Sequence, residues 1–157
     1  MADIEPKEYV LAGVVMKRLV SGRETGGSFC LFENSSDGPT ATPIHVHTQD
    51  DETVYVLEGH LTVIVDGAAR ILSPGDSAFL RRGIPHQLLN PADRPACYLL
   101  IGTPSVFEHF LAEAGRELRP GEMAGPPTGA DIARLKAAAP KYGLTLLPDW
   151  PAGDSCS

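Results

Sequence analysis

The sequence is poor in cysteine and in positive charge, and it contains no long hydrophobic run. Its three cysteines, Cys30, Cys97 and Cys156, are scattered without a CxxC spacing, which favours a reduced chain with structural thiols. No apolar stretch is long enough to cross a bilayer, and the acidic first residues do not resemble a signal peptide. We therefore expect a cytoplasmic protein that does not associate with membranes.

Basic residues are outnumbered: 13 Lys and Arg stand against 20 Asp and Glu, which gives a net charge of −7. The longest basic runs are the pairs Lys17-Arg18 and Arg81-Arg82. A polyanion would find no extended positive face on such a chain, so we expect no nucleic-acid partner. A length of 157 residues fits one domain with a substantial core.

Short β-rich segments fill the sequence from Tyr9 to Ile101. They are rich in Val, Ile, Leu, Phe and Tyr, and turn sequences such as Asp66-Gly67 and Pro74-Gly75 separate them. Many short strands without helices between them predict an all-β fold, either a sandwich or a barrel. The first segment, Tyr9–Val20, is predicted to be one long strand, apolar on both faces, as expected for an edge strand that pairs across a homodimer interface.

Helical patterns begin near Thr103. Ser105 and Glu108 have the spacing of a capping box, and Val106, Phe107, Phe110 and Leu111 form one apolar stripe at helical period. A loop rich in Pro and Gly leads to a second predicted helix at residues 130–139, and the tail is expected to pack back on the body. We predict a barrel over residues 1–102 and a helical extension over residues 103–157, which together form a single domain.

Two histidines and a glutamate lie close together in the segment PIHVHTQDDE. Side chains alternate between the faces of a strand, so His45 and His47 point the same way, about 7 Å apart. The loop TQDD can bring Glu52 beside them, and the same alternation places Val54 and Val56 on the face of Glu52, lining a cavity. A solvated strand face would explain two such histidines, and a metal site is the alternative.

Asp50 and Asp51 lie in the loop that precedes Glu52. Either carboxylate could orient a ligand histidine through the ring nitrogen that faces away from a metal. A surface position explains two loop acids equally well, and we favour the surface for both.

The segment PGDSAFLRRGIPHQLLN adds His86 on another predicted strand, and the two stretches together resemble the cupin family. The first cupin motif, G-x5-H-x-H-x3–4-E-x6-G, is matched by Gly38, His45, His47, Glu52 and Gly59, although six residues separate the first glycine from His45. The second motif, G-x5-P-x-G-x2-H-x3-N, is matched by Gly75, Gly83, His86 and Asn90, and Arg81 stands in place of its proline.

The resemblance implies a conical, jelly-roll-like β-barrel with C-terminal helices and one divalent transition metal in its interior. The implied ligands are His45, His47, Glu52 and His86, with one or two coordination positions left open for a substrate. Imidazole together with carboxylate suits iron, nickel, copper, zinc and, less well, manganese, so the identity of the metal stays open.

The segments TPSVFEHFLAEAG and KYGLTLLPDW are similar to the ends of small cupins of the quercetin 2,3-dioxygenase-like group. The helix stripe has two interpretations. It covers a sheet, as apolar stripes usually do, or Phe107, Phe110 and Leu111 partly close the barrel mouth over an apolar, aromatic substrate.

The chemistry implied by the resemblance is that of a metal-dependent dioxygenase. An enolic or phenolic oxygen of a flavonol-like molecule would bind the metal, O2 would be added to the ring, and Glu52 would also act as the catalytic base. Two alternatives stay open. One is a non-redox polyketide cyclase or isomerase in which the metal is only a Lewis acid, and the other is a cupin that binds a small ligand without turnover.

Overall fold

Two antiparallel β-sheets enclose the interior in the computed structural model, which describes residues 7–147. The strands within this range are β1 (Glu8–Leu11), β2 (Val14–Val20), β3 (Cys30–Ser36), β4 (Thr40–Ala41), β5 (His45–His47), β6 (Asp51–Glu58), β7 (Leu61–Val65), β8 (Ala68–Leu72), β9 (Ser77–Leu80), β10 (His86–Asn90), β11 (Ala96–Thr103), β12 (Arg116–Glu117) and β13 (Leu144–Leu146). The predicted all-β barrel is therefore confirmed.

The larger sheet has the strand order β12-β1-β2-β3-β11-β6-β9, and the smaller has the order β13-β5-β10-β7-β8, with β4 also paired to β10. The inner faces follow from strand alternation. Every second residue of β11 is buried, and β3 buries alternate residues in the same way. The apolar members of these faces form one core between the sheets, which includes Phe32, Val54, Leu61, Leu88 and Leu100.

The N-terminal segment is a hairpin, so the prediction of one long strand over Tyr9–Val20 is wrong. Ala12 and Gly13 both have positive φ, at 51° and 80°, and they turn the chain between β1 and β2. Two consecutive positive φ values suit a tight hairpin connection whose twist matches the flanking strands. The outer side of β1 pairs with β12, so this segment does not offer the long free edge on which the homodimer was predicted.

The two helices are α1 (Val106–Ala114) and α2 (Gly129–Ala138), followed by a 3₁₀ turn at Ala139–Tyr142. The predicted capping box at α1 is wrong, because Ser105 makes no side-chain capping bond. The Glu108 carboxylate instead accepts from the Gly22 backbone N–H, at 3.0 Å to each oxygen, and so ties α1 to the loop after β2.

The segment after residue 103 adds a strand to each sheet. β12 pairs with β1, and β13 pairs with β5, so the tail packs back on the barrel as expected as far as residue 147. The division into residues 1–102 and 103–157 stays a prediction. Among the described residues, no helix combines the length and the hydropathy that a bilayer span requires.

Candidate metal centre

Three histidines share the inner face of the smaller sheet. His45 and His47 are buried on β5, with the half-buried Val46 between them. His86 begins β10 and lies directly opposite His45 in the strand register. The alternation predicted from the sequence therefore brings two of these side chains to one face, and antiparallel pairing adds the third.

The candidate carboxylate ligand, Glu52, lies on the larger sheet, opposite the three histidines. Glu52 is the second residue of β6, and the short loop at residues 48–50 carries the chain across from His47. Glu52 is buried and lies opposite Gly102 of β11 and Leu80 of β9. The four candidate ligands thus come from three strands in two sheets.

The donor atoms converge at a common centre. One ligand atom from each of the four residues lies within 4.8 Å of every other. Glu52 Oε2 is 3.2 Å from His86 Nε2 and 3.5 Å from His47 Nε2. For metal–ligand bonds of about 2.1 Å, the edge of a coordination polyhedron is roughly 3.0 Å in an octahedron and 3.4 Å in a tetrahedron, so these separations fit one ion.

Each imidazole has its Nδ1 atom committed to an acceptor. His45 Nδ1 lies 2.6 Å from the Pro43 carbonyl oxygen, and His86 Nδ1 lies 3.2 Å from the Ile84 carbonyl oxygen. A carbonyl can only accept, so Nδ1 carries the proton in both rings. Nε2 is then the atom with the free lone pair, which is the tautomer that a metal requires.

His47 gives the sharpest sign that an ion belongs here. Its ring is 1% exposed, and its Nε2 has no hydrogen-bond partner within residues 7–147. A buried polar atom without a partner is costly, and a metal ion would use this lone pair. The residues present therefore fit a divalent metal.

The charges of the cluster match that role. Burial, together with the neighbouring His86 and His47, lowers the pKa of His45 to about 3, so this ring is neutral at neutral pH. Burial alone would raise the pKa of Glu52, but the adjacent histidines outweigh it and lower this pKa to about 2. Burial would also lower the pKa of His47, but Glu52 and Asp50 raise it overall. The cluster thus offers an ionised carboxylate and, at His45, a neutral imidazole, whereas the raised pKa of His47 favours a ring proton that a metal ion would have to displace.

Asp50 is buried, so the predicted surface position is wrong for this residue. Its Oδ1 lies 3.0 Å from His47 Nδ1, and the side chain is 0% exposed. This carboxylate holds the His47 ring and fixes its tautomer. Asp51 does lie near the surface, where it accepts hydrogen bonds from the Arg82 backbone and guanidinium.

A cavity of about 50 Å³ borders the cluster at His45 and Glu52. Its apolar walls come from both sheets, from α1 and α2 and from β13, and they include Phe107 and Phe110. Val54, Val56 and Leu111 are fully buried in the core and do not border this cavity. Phe107 and Phe110 therefore lie where a substrate pocket was predicted, and the assignment of all five residues to such a pocket stays a prediction.

Two polar side chains in the cavity wall were missed by the sequence-based prediction. Asn34 on β3 and Tyr98 on β11 are buried, and both border the cavity. A signal was available for Asn34, because strand alternation places it on the same face as Cys30 and Phe32.

Comparisons with known proteins agree with this site. Residues 34–102, which contain all four candidate ligands, match a family model described as a cupin domain. The chain is 29% identical over 162 residues to quercetin 2,3-dioxygenase of Bacillus subtilis, a match that covers 92% of this chain and 48% of that protein. The chain thus spans about half the length of this relative.

A second relative is the tetracenomycin polyketide synthase protein TcmJ of Streptomyces glaucescens, 28% identical over 120 residues, with 68% of this chain and 80% of that protein covered. Among solved structures, a sugar phosphate isomerase from the cupin superfamily of Silicibacter pomeroyi is 31% identical, with a TM-score of 0.50, and the match covers 58% of this chain and 59% of that one. The motifs, the barrel and these matches agree: the chain belongs to the cupin superfamily.

Proposed function

We propose that the protein is a metal-dependent dioxygenase that acts on an enolic or phenolic small molecule, with Glu52 as both ligand and base. The observation that carries this proposal is the buried set of three imidazoles and one carboxylate at the wall of an otherwise apolar cavity. The similarity to quercetin 2,3-dioxygenase supports the reaction type. Open coordination positions are typical of catalytic rather than structural metal sites.

His45, His47, Glu52 and His86 would hold the metal. A bound divalent ion supplies a Lewis acid for an enolic or phenolic oxygen and, if it is redox-active, an electron path to O2. The protein orients three of these donors itself, through the acceptors that hold each histidine at Nδ1. Such preorganisation keeps the Nε2 lone pairs directed at one point before any ligand arrives.

In this proposal Glu52 takes the substrate proton. Its carboxylate is ionised at neutral pH, since its pKa is lowered to about 2, and it also borders the cavity. A substrate hydroxyl in the cavity would therefore meet an unprotonated oxygen. The cavity walls are mainly leucine and phenylalanine, which exclude water from that encounter.

The size of the cavity restricts the substrate. A volume of about 50 Å³ holds only a few non-hydrogen atoms, whereas sites for drug-sized ligands measure roughly 300–1,000 Å³. A flavonol would need α1 or α2 to move outward, because Phe107, Phe110 and Leu135 form part of the wall. A smaller enol or phenol needs less displacement.

A second candidate function is a non-redox cyclase or isomerase of a polyketide pathway. The similarity to the tetracenomycin polyketide synthase protein, of which the chain covers 80%, favours this alternative. The same metal site would then polarise a carbonyl without consuming O2. A homodimer and binding without turnover also stay predictions.

Metal analysis of protein purified without chelators, followed by an aerobic and anaerobic screen of flavonols and aromatic polyketides, tests these functions. O2 uptake with an oxidised product is the expected result, an isomeric product without O2 uptake supports the second candidate, and binding without product contradicts both.

Glu52→Ala should lose turnover and retain less metal. Glu58→Ala, at the exposed end of the same strand, is the control and should behave as wild type. Wild-type turnover in Glu52→Ala contradicts the role of Glu52.

A further inference from the structure

Asn34 carries a buried side-chain amide in the wall of the cavity. Its side chain is on the inner face of β3 and is 1% exposed. Neither Oδ1 nor Nδ2 has a hydrogen-bond partner within the described range, residues 7–147. Native proteins rarely leave both ends of a buried amide unsatisfied, because the group loses its bonds to water and gains nothing in return. A ligand group is the natural partner for such an amide.

Tyr98 lies beside this amide. The two residues are direct register partners on β3 and β11, and both side chains point into the barrel. Tyr98 is 2% exposed, and burial raises the pKa of its hydroxyl to about 12 although the neighbouring Asn34 amide acts to lower it, so this group remains a neutral phenol. Together the amide and the phenol offer donors and acceptors but no charge.

The pair and the candidate metal centre face one cavity. Asn34 and Tyr98 border it together with His45 and Glu52. Along β11, Tyr98 is four residues from Gly102, the register partner of Glu52, so the polar pair is separated from Glu52 along the strand direction. Leu88 and Leu100 are among the apolar residues that line the cavity alongside them. A ligand that reaches both places would have one oxygen at each end and an apolar middle.

The absence of a cationic side chain from the described cavity wall limits which ligand groups can bind at Asn34 and Tyr98. Among the described residues that line the cavity, none is lysine or arginine. A carboxylate or a phosphate at Asn34 and Tyr98 would be buried without a cation, which is very unfavourable. A hydroxyl or carbonyl oxygen would be fully satisfied there.

We propose that Asn34 and Tyr98 form the second anchor of the substrate site and bind an uncharged hydroxyl or carbonyl oxygen, while the enolic or phenolic oxygen goes to the metal. The inference rests on the proposed function for the metal-bound end only. It selects neutral hydroxyphenols and hydroxyketones, and it excludes sugar phosphates and dicarboxylates.

The test compares three small phenols on the metal-loaded protein by calorimetry. The probes are phenol, 1,4-dihydroxybenzene with a neutral second oxygen, and 4-hydroxybenzoate with a charged one. In the wild type, 1,4-dihydroxybenzene should bind about tenfold more tightly than phenol, as one well-placed hydrogen bond allows, and 4-hydroxybenzoate should bind more weakly than both.

In the Asn34→Leu and Tyr98→Phe variants, 1,4-dihydroxybenzene should bind no more tightly than phenol, and the affinity for phenol should be unchanged. Tyr55→Phe, a half-exposed tyrosine on β6, is the matched control and should keep the advantage. A purely structural role for Asn34 predicts a lower melting temperature in Asn34→Leu, whereas removal of an unpaired amide should leave it equal or higher.

Equal binding of phenol and 1,4-dihydroxybenzene by the wild type would overturn the second anchor and leave the proposed function in place. An unchanged preference in both variants would overturn it as well. Failure of the wild type to bind any of the three phenols would contradict the proposed function and this inference together.

Discussion

Asp50 illustrates how much a single buried side chain adds to a metal site. Asp50 lies in the loop between β5 and β6, and its carboxylate accepts a hydrogen bond from Nδ1 of His47 at 3.0 Å. Its neighbour Asp51 faces the surface and pairs with Arg82. Two consecutive acids therefore have opposite roles, and only one of them acts on a candidate ligand.

Asp50→Ala should weaken metal binding by about 10- to 100-fold, the range usual for removal of the group that orients a ligand histidine. Without Asp50, the His47 ring loses the acceptor that fixes its tautomer. Competition with a chromophoric chelator measures the change. Asp51→Ala is the matched control and should keep wild-type affinity. Equal affinities for the two variants would show that Asp50 does not support His47.

Residue-level prediction proposed four candidate ligands that the structure brings together, and it assigned one supporting residue wrongly. The cupin resemblance implied His45, His47, Glu52 and His86, because the spacing of its motifs is local in the sequence. Asp50 was wrongly assigned to the surface, because the burial of a loop acid depends on the elements packed around it. Asn34 was missed although its position on an apolar strand face was visible in the alternation.

At the scale of elements, β13 and the turn before it support the ligand-bearing strand. Leu144 and Leu146 are register partners of His47 and His45. The carbonyl oxygen of Gly143 accepts from both the backbone N–H and the hydroxyl of Thr48, at 2.9 Å each. The C-terminal segment therefore holds the loop that joins His47 to Glu52.

Gly143→Ala should lower both the melting temperature and the metal affinity. Gly143 has φ +73°, where an alanine is strained by roughly 1–2 kcal/mol, and a Cβ there would lie 2.5 Å from Thr48 Oγ1. Gly121→Ala is the control, because it has φ +83° and no heavy atom within 4 Å of the new Cβ. Thermal unfolding and chelator competition measure both variants. If they behave alike, the contact with Thr48 does not support the site.

Element boundaries were predicted less well than element types. The segment Tyr9–Val20 is apolar from Tyr9 to Met16, and the Ala12-Gly13 turn inside it lacks the Asn or Asp that usually marks a hairpin. The Ser105–Glu108 spacing fits a capping box, but tertiary packing gives Glu108 the Gly22 N–H instead. Local patterns do not show which distant group competes for a side chain.

At the scale of the whole molecule, a metal ion held by the four candidate ligands would join the two sheets, because three of these residues belong to one sheet and Glu52 to the other. Anything that binds only the folded state stabilises it by a free energy that grows with the logarithm of the ratio of ligand concentration to Kd. The site is therefore expected to contribute to the stability of the entire barrel.

Chelation should lower the unfolding temperature. At a free metal concentration 100 times the Kd, the metal contributes about 2.7 kcal/mol, or roughly 5–10 °C for a chain of this size. Calorimetry with and without a chelator measures the shift. His86→Ala removes one ligand, and its unfolding should respond much less to the chelator. A wild-type midpoint that does not depend on metal would contradict a bound ion between the sheets.

The global fold was predictable because turn-punctuated strands and two ligand motifs point to the same barrel, and the match over residues 34–102 agrees. The cavity was not predictable in size, because it depends on how α1, α2 and β13 pack over the barrel opening. Volume is a property of the assembled walls and of no single segment.

The elements that form the cavity wall differ in how their displacement would affect the metal site. β13 borders the cavity and is also hydrogen-bonded to β5, the strand that bears His45 and His47. Displacement of β13 by an entering molecule would therefore disturb the positions of both histidines. α1 borders the cavity through Phe107 and Phe110 and carries none of the four donors. A molecule that enters past α1 would not displace any of the four candidate ligands. Access to the cavity and retention of the metal would therefore depend on different elements of the barrel.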